Sequence, residues 1–154
     1  MVSPEIFTTR SEQETFTLGE HVAATLQPGT FVLLHGDLGA GKTAFVRGLA
    51  TGLGANPDDV SSPTFVLIQH YKGRIPLVHV DLYRLESGPA VDDLGLEEMV
   101  EGAVVAVEWA ERLPRQIEDS VTVKIEDLGD DARQITVLRQ TANGKRQTVN
   151  GELL

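Results

Sequence analysis

The stretch Gly36-Asp37-Leu38-Gly39-Ala40-Gly41-Lys42-Thr43 decides how the chain reads, because it satisfies G-x-x-x-x-G-K-[ST] at every defined position. This pattern is a P-loop, a turn that holds phosphate. Gly36, Gly39 and Gly41 permit positive φ and bring backbone N–H groups close to phosphate oxygens, while the following helix N-terminus adds partial positive charge. Lys42 reaches the β- and γ-phosphates of a nucleotide as a point charge, and Thr43 supplies a hydroxyl to Mg²⁺.

The flanks make the motif convincing. Phe31-Val32-Leu33-Leu34-His35 before it is apolar and β-prone, as in a strand buried in a mostly parallel sheet. After it, Phe45, Val46, Leu49, Ala50 and Leu53 form one helical stripe. A glycine-rich turn beside a surface lysine is the bland alternative, and it explains neither flank. Strand, loop and helix together predict an α/β, P-loop NTPase-like three-layer fold around a mixed parallel and antiparallel sheet.

At 154 residues the chain fits a single domain, expected over 1–140, followed by a polar, loosely ordered tail at 141–154. The absence of cysteine rules out disulfides and thiolate metal sites and fits a reducing compartment. No apolar run approaches the roughly 18 residues of a membrane span, and Met1-Val2-Ser3-Pro4-Glu5 lacks the features of a signal peptide. A cytoplasmic protein without a membrane role is expected. The net charge of −10, from 23 acidic and 13 basic residues, argues against broad electrostatic capture of nucleic acid. Any RNA would be held by another subunit.

Along the chain, Glu5 to Thr9 reads as a strand, and Ser11-Glu12-Gln13-Glu14 as a capping box opening an amphipathic helix that stops before Pro28-Gly29. Together they are expected to form a β-α unit leading into the P-loop strand. Thr8, Thr9 and Ser11 occupy the intervening turn, where hydroxyls can meet a nucleotide or, for Ser11, simply cap the helix. Beyond the P-loop helix, Val60 to Phe65 packs hydroxyls around Pro63, and Phe65 to Tyr71 and Leu77 to Asp81 read as an antiparallel pair joined at Lys72-Gly73-Arg74. Pro89 to Val100 reads as one or two short acidic helices, and Ala110 to Pro114 as a helical turn. Val121 to Glu126 and Arg133 to Leu138 alternate polar and apolar residues, the mark of a half-exposed hairpin.

Two apolar strands end in carboxylates, Asp81 after Leu77-Val78-His79-Val80 and Glu108 after Val104-Val105-Ala106-Val107. Either suits the acid that holds Mg²⁺ or its waters opposite the P-loop hydroxyl. None of the four histidines forms a metal-spaced cluster, and each is expected to be an ordinary hydrogen-bonded histidine, although His79 and Asp81 share a strand face.

Four blocks in order now carry a resemblance over roughly Phe7 to Val137: the P-loop octapeptide, Ser62-Pro63-Thr64-Phe65, Asp81-Leu82-Tyr83-Arg84-Leu85 and Glu108-Trp109. In combination they resemble the TsaE (YjeE) family, P-loop ATPases of bacterial tRNA threonylcarbamoyladenosine synthesis. The resemblance implies that the octapeptide, with Asp37, Leu38 and Ala40 at its variable positions, binds ATP, and that Thr43 and Glu108 ligate Mg²⁺ with Asp81 close by. It implies that Thr64 lies near the γ-phosphate, that Arg84 and Trp109 serve activity or docking, and that the base is contacted near Thr9, Ser11 and Arg133. Lys42, Thr64, Asp81 and Glu108 are the expected catalytic set. The implied partners are TsaD and TsaB, with tRNA met only indirectly, and hydrolysis by the isolated subunit is expected to be slow.

Two rivals share the first motif. A small-molecule P-loop kinase usually needs a lid carrying arginines, and Pro89 to Val100 contains none. A regulatory ATP-binding module would show no significant turnover. A GTPase is disfavoured because no N-K-x-D segment is present.

Overall fold

A computed structural model describes residues 3–36, 41–60, 68–82, 94–113, 117, 119–140, 148–149 and 152–153. The main elements are β1 (Glu5–Thr9), α1 (Glu12–Ala23), β2 (Thr30–His35), α2 (Lys42–Gly52), β3 (Ile68–Tyr71), β4 (Leu77–Asp81), β5 (Val104–Glu108), β6 (Ser120–Gly129) and β7 (Ala132–Gln140). A one-turn helix at Leu96–Met99 and 3₁₀ turns at Pro57–Asp59 and Ala110–Arg112 lie between them. Among the described residues Thr148–Val149 (β8) and Glu152–Leu153 (β9) pair with each other in a separate two-stranded sheet. Among the described residues no helix is long and apolar enough to cross a membrane.

Seven strands form one sheet in the order β1-β7-β6-β2-β5-β4-β3. The P-loop strand β2 lies at its centre, parallel to both β5 and β6, and β4 continues the parallel set beside β5. Antiparallel strands β3 on one side and β7 with β1 on the other complete the mixed sheet.

The first strand, which with α1 leads into the P-loop strand as expected, pairs with β7 at the sheet edge, Glu5 opposite Val137 and Thr9 opposite Arg133. The hairpin at Lys72-Gly73-Arg74 is present, but β4 belongs to the parallel core, so β3 alone is the antiparallel addition. The physical reason lies in burial: every residue from Leu77 to Val80 is buried, which suits a strand covered on both faces, whereas β3 is largely half-exposed. The expected helices between Pro89 and Val100 are described only at Leu96–Met99.

Local chemistry explains the elements. At α1 the Glu14 amide donates to Ser11 Oγ (3.1 Å), and Glu14 Oε1 accepts from the Arg10 amide (2.8 Å), one residue before the cap. The β6–β7 hairpin turns through Asp130 and Asp131 with φ of 53° and 66°, the left-handed pair of a type I′ turn. Along β6, Val121, Val123 and Ile125 are buried while Lys124 and Glu126 are exposed, as the alternation requires.

The two sheet faces carry separate apolar clusters. Helices α1 and α2 cover one, packing Leu18, Val22, Phe45, Val46 and Leu49 over Val32, Leu34, Val104, Ala106, Val123 and Ile135. The other buries Phe31, Val78, Val80, Val105 and Val107 against Leu96 and Ala110. The helices touch backbone to backbone at glycines: a Cβ on Gly48 would lie 2.0 Å from Phe16 O, and one on Gly19 would lie 2.4 Å from Phe45 O. Gly48→Ala is therefore expected to destabilise the fold by about 1–3 kcal/mol through overpacking. Urea denaturation checks this, and an unchanged midpoint would show that the helices separate without cost.

Candidate phosphate and metal site

Strands β2, β4 and β5 run parallel, so their carboxyl ends lie at the same edge, where ligand sites of open α/β sheets form. Register places Asp81 beside Glu108, and Glu108 beside Leu34, two residues before Gly36. Side-chain alternation then sets Asp81, Glu108 and Leu34 on the face covered by α2. The sheet thus delivers both candidate acids to the start of the P-loop helix.

The loop closes at Gly41, whose φ of 104° is the left-handed conformation that favours glycine. Lys42 begins α2 and is 6 % exposed. Its ammonium donates to the Gly36 carbonyl (2.8 Å), tying together the two ends of the octapeptide. The same Nζ stands 3.8 Å from Glu108 Oε1 and 5.4 Å from the centre of the Trp109 ring. A buried ion pair of this kind is weak evidence for stability, since both charges lose hydration. Its interest lies in what it collects: the loop lysine, a strand-end acid and the single tryptophan meet at one point.

The other oxygen of that acid has its own partner. Glu108 Oε2 lies 2.6 Å from His79 Nε2, and both residues are buried. His79 thus meets the expectation of a hydrogen-bonded histidine, yet its partner is a site acid, a link that sequence reading missed. The available signal was the shared face of His79 and Asp81; the β4–β5 register that brings the ring to Glu108 was not readable. Directly after Glu108, Trp109 adopts φ 60°, uncommon for a bulky residue and a frequent mark of functional sites. Arg112 Cζ lies 5.3 Å from its ring centre, and Glu111 meets His35 Nδ1 at 3.1 Å.

The remaining expected residues are distributed as follows. Thr43 is half-buried in the first turn of α2, and Asp81 is half-buried at the end of β4. Arg133 is near the loop: a Cβ on Gly41 would lie 3.8 Å from its Nε, and its guanidinium also bonds Asp127 Oδ1 at 3.0 Å. Thr9 is buried with its hydroxyl 2.8 Å from that of Thr15, and Ser11 is engaged as the α1 cap. Asp37, Leu38, Gly39, Ala40, Thr64 and Arg84 lie outside the described residues.

Among the described residues no group of three or more His, Asp or Glu side chains is arranged to hold a metal alone. Mg²⁺ does not need one, since it commonly takes one or two carboxylates and fills the rest with waters and substrate phosphates. The donor chemistry fits such a hard cation: Glu108 and Asp81 side by side in register, a hydroxyl on Thr43, and a Glu108 Oε1 with no hydrogen bond among the described residues.

Residues 9–135 match the family model for the threonylcarbamoyl adenosine biosynthesis protein TsaE. The chain belongs to the TsaE family. It is 45 % identical over 130 residues to the tRNA threonylcarbamoyladenosine biosynthesis protein TsaE of Treponema pallidum, covering 83 % of this chain and 96 % of that protein. The TsaE protein of Bacillus subtilis is 43 % identical over 141 residues, covering 90 % and 85 %. The crystal structure of Bacillus subtilis YdiB superposes with a TM-score of 0.72 at 35 % identity, covering 94 % of this chain and 90 % of that one. The TsaE family match begins at Thr9 and ends at Ile135, so it spans the P-loop, both strand-end acids and Arg133 and stops before the tail.

Proposed function

We propose that the chain is a Mg²⁺-dependent ATPase subunit supporting threonylcarbamoyladenosine modification of tRNA, working with TsaD and TsaB subunits. The observation that carries the reading is the convergence on Lys42 Nζ of the Gly36 carbonyl and Glu108 Oε1, at the mouth of a strand–loop–helix unit. A lysine there meets the β- and γ-phosphates, and the loop amides with the α2 N-terminus add fixed positive dipoles. Membership of a family described by threonylcarbamoyl adenosine biosynthesis supplies the process.

In this mechanism water attacks the γ-phosphorus in line, and positioning and electrostatics supply most of the acceleration. Lys42 offsets charge gathering on the β–γ bridge. Glu108 and Thr43 would hold the metal with Asp81 beside them, and Thr64, Asp81 or Glu108 would orient the water. Mg²⁺, when bound, screens the phosphate oxygens. The proposed base contacts lie near Thr9, Ser11 and Arg133, and Arg84 and Trp109 serve activity or docking. With a net charge of −10 the chain is suited to meet tRNA through its partners rather than by gripping the backbone itself.

The test is Mg²⁺-dependent phosphate release by the purified chain, alone and with TsaD and TsaB from the same source. Strong stimulation by the partners is expected. ATP binding without hydrolysis under either condition would identify a regulatory module, and phosphate transfer to an added acceptor would identify a kinase.

A further inference from the structure

We infer that His79 is a positioning residue for Glu108: its imidazole sets the rotamer of that carboxylate so that the second oxygen faces the lysine end of the P-loop. The inference rests on the proposed ATPase reading and adds a residue which that reading does not use.

Three observations carry it. The contact is short and dry, with Nε2 2.6 Å from Glu108 Oε2, His79 1 % exposed and the Glu108 side chain 8 % exposed. The sheet aims it: His79 stands opposite Ala106, two pairs before Asp81 opposite Glu108 and so on the same face, and the small Ala106 side chain leaves the ring room to lean along the strand toward the acid. The third is the condition of the other ring nitrogen. An ionised carboxylate only accepts, so the bond requires a hydrogen on Nε2 and leaves Nδ1 to find a partner of its own. Nδ1 is buried and has no hydrogen-bond partner among the described residues.

A buried ring nitrogen without a partner works against stability, and on its own sheet face His79 stands beside Leu77 of the same strand and opposite Ala106, both buried and apolar. An aliphatic residue would pack there without that disadvantage. What it would lack is a donor for Oε2. Glutamate has several rotatable bonds, and a carboxylate that must meet a cation in one orientation needs its free rotation removed by an outer hydrogen bond. With Oε2 held by His79, Oε1 is the oxygen left 3.8 Å from Lys42 Nζ, toward the phosphate end of the site.

Near-isosteric substitutions separate positioning from space filling. Glutamine carries its amide N–H close to the place of Nε2, whereas asparagine carries it close to the place of Nδ1. ATP affinity is measured by calorimetry, in EDTA and again with Mg²⁺, alongside thermal melting to confirm the fold. His79→Asn is expected to keep the affinity seen in EDTA while losing about tenfold or more of the Mg²⁺-dependent gain. His79→Gln is expected to retain most of that gain. In a Glu108→Gln background His79→Asn should cause no further loss, because both changes act through one group. Equal Mg²⁺-dependent gains in the parent and His79→Asn would overturn the inference, as would a folded His79→Gln without the gain; should His79→Asn not fold, that second variant decides. Loss of turnover in Lys42→Ala, with ATP binding in EDTA kept by the histidine variants, keeps the two readings apart, and a parent chain that binds no ATP would remove both.

Discussion

Replacing Lys42 with alanine is expected to lower Mg²⁺-dependent ATP turnover by about 10²- to 10³-fold, the scale seen when one preorganised donor is removed from a developing anion. The loss should fall mainly on kcat. The loop amides and the α2 N-terminus remain in the variant and still hold the α- and β-phosphates, whereas charge on the β–γ bridge grows as the bond breaks and would then have no ammonium to meet it. Structure adds a second consequence. Lys42 is almost fully buried and its Nζ ties to Gly36 O at 2.8 Å, so truncation also releases one end of the loop and strips Glu108 of its nearby cation. A modest drop in melting temperature should accompany the loss of turnover. Phosphate release and a thermal melt on the same preparation check both effects. A folded variant with the parental rate would remove Lys42, and with it the whole phosphate assignment, from the mechanism.

Glu108→Ala should raise the Mg²⁺ requirement more than Asp81→Ala, by at least the ~10- to 100-fold that even outer-sphere changes at metal sites cost. The structure separates these acids although the sequence treats them alike. Glu108 is buried, is held by His79 through Oε2 and presents Oε1 toward Lys42, whereas Asp81 is half-buried one strand farther from the P-loop strand. Because β5 adjoins β2 directly and β4 adjoins β5, the nearer acid is the better candidate for inner coordination, and the farther one for contact through water. A Mg²⁺ titration of activity at saturating ATP measures the difference. The reverse order of the two variants would exchange their roles.

Much of the candidate site was legible because the pattern that proposes it is encoded locally. Gly36 to Thr43 specifies turn, donor and helix start within one octapeptide, and the strands ending at Asp81 and Glu108 were placed with their observed limits, since continuous apolar runs closed by an acid are short-range patterns. The Ser11 cap and the β6–β7 hairpin were legible for the same reason. The position of β1 was not. A strand of five residues followed by a helix is compatible with several neighbours, and nothing within Glu5 to Thr9 says that its partner is β7, more than a hundred residues later. The link from His79 to Glu108 was hidden likewise, because it depends on the pairing of two strands, and so was the approach of Arg133 to Gly41.

By itself, then, the sequence determined the fold class, the candidate loop and acids and, through blocks in order, the family, because each is written in the type and spacing of neighbouring residues. Only the tertiary structure decided which strand lies at the sheet's edge, which acid faces Lys42, and that a histidine on β4 grips the acid on β5. These depend on strand order and register, which are set by how two apolar faces bury against their helices and by which backbone edges remain to be paired, and such choices belong to the whole chain rather than to any stretch of it.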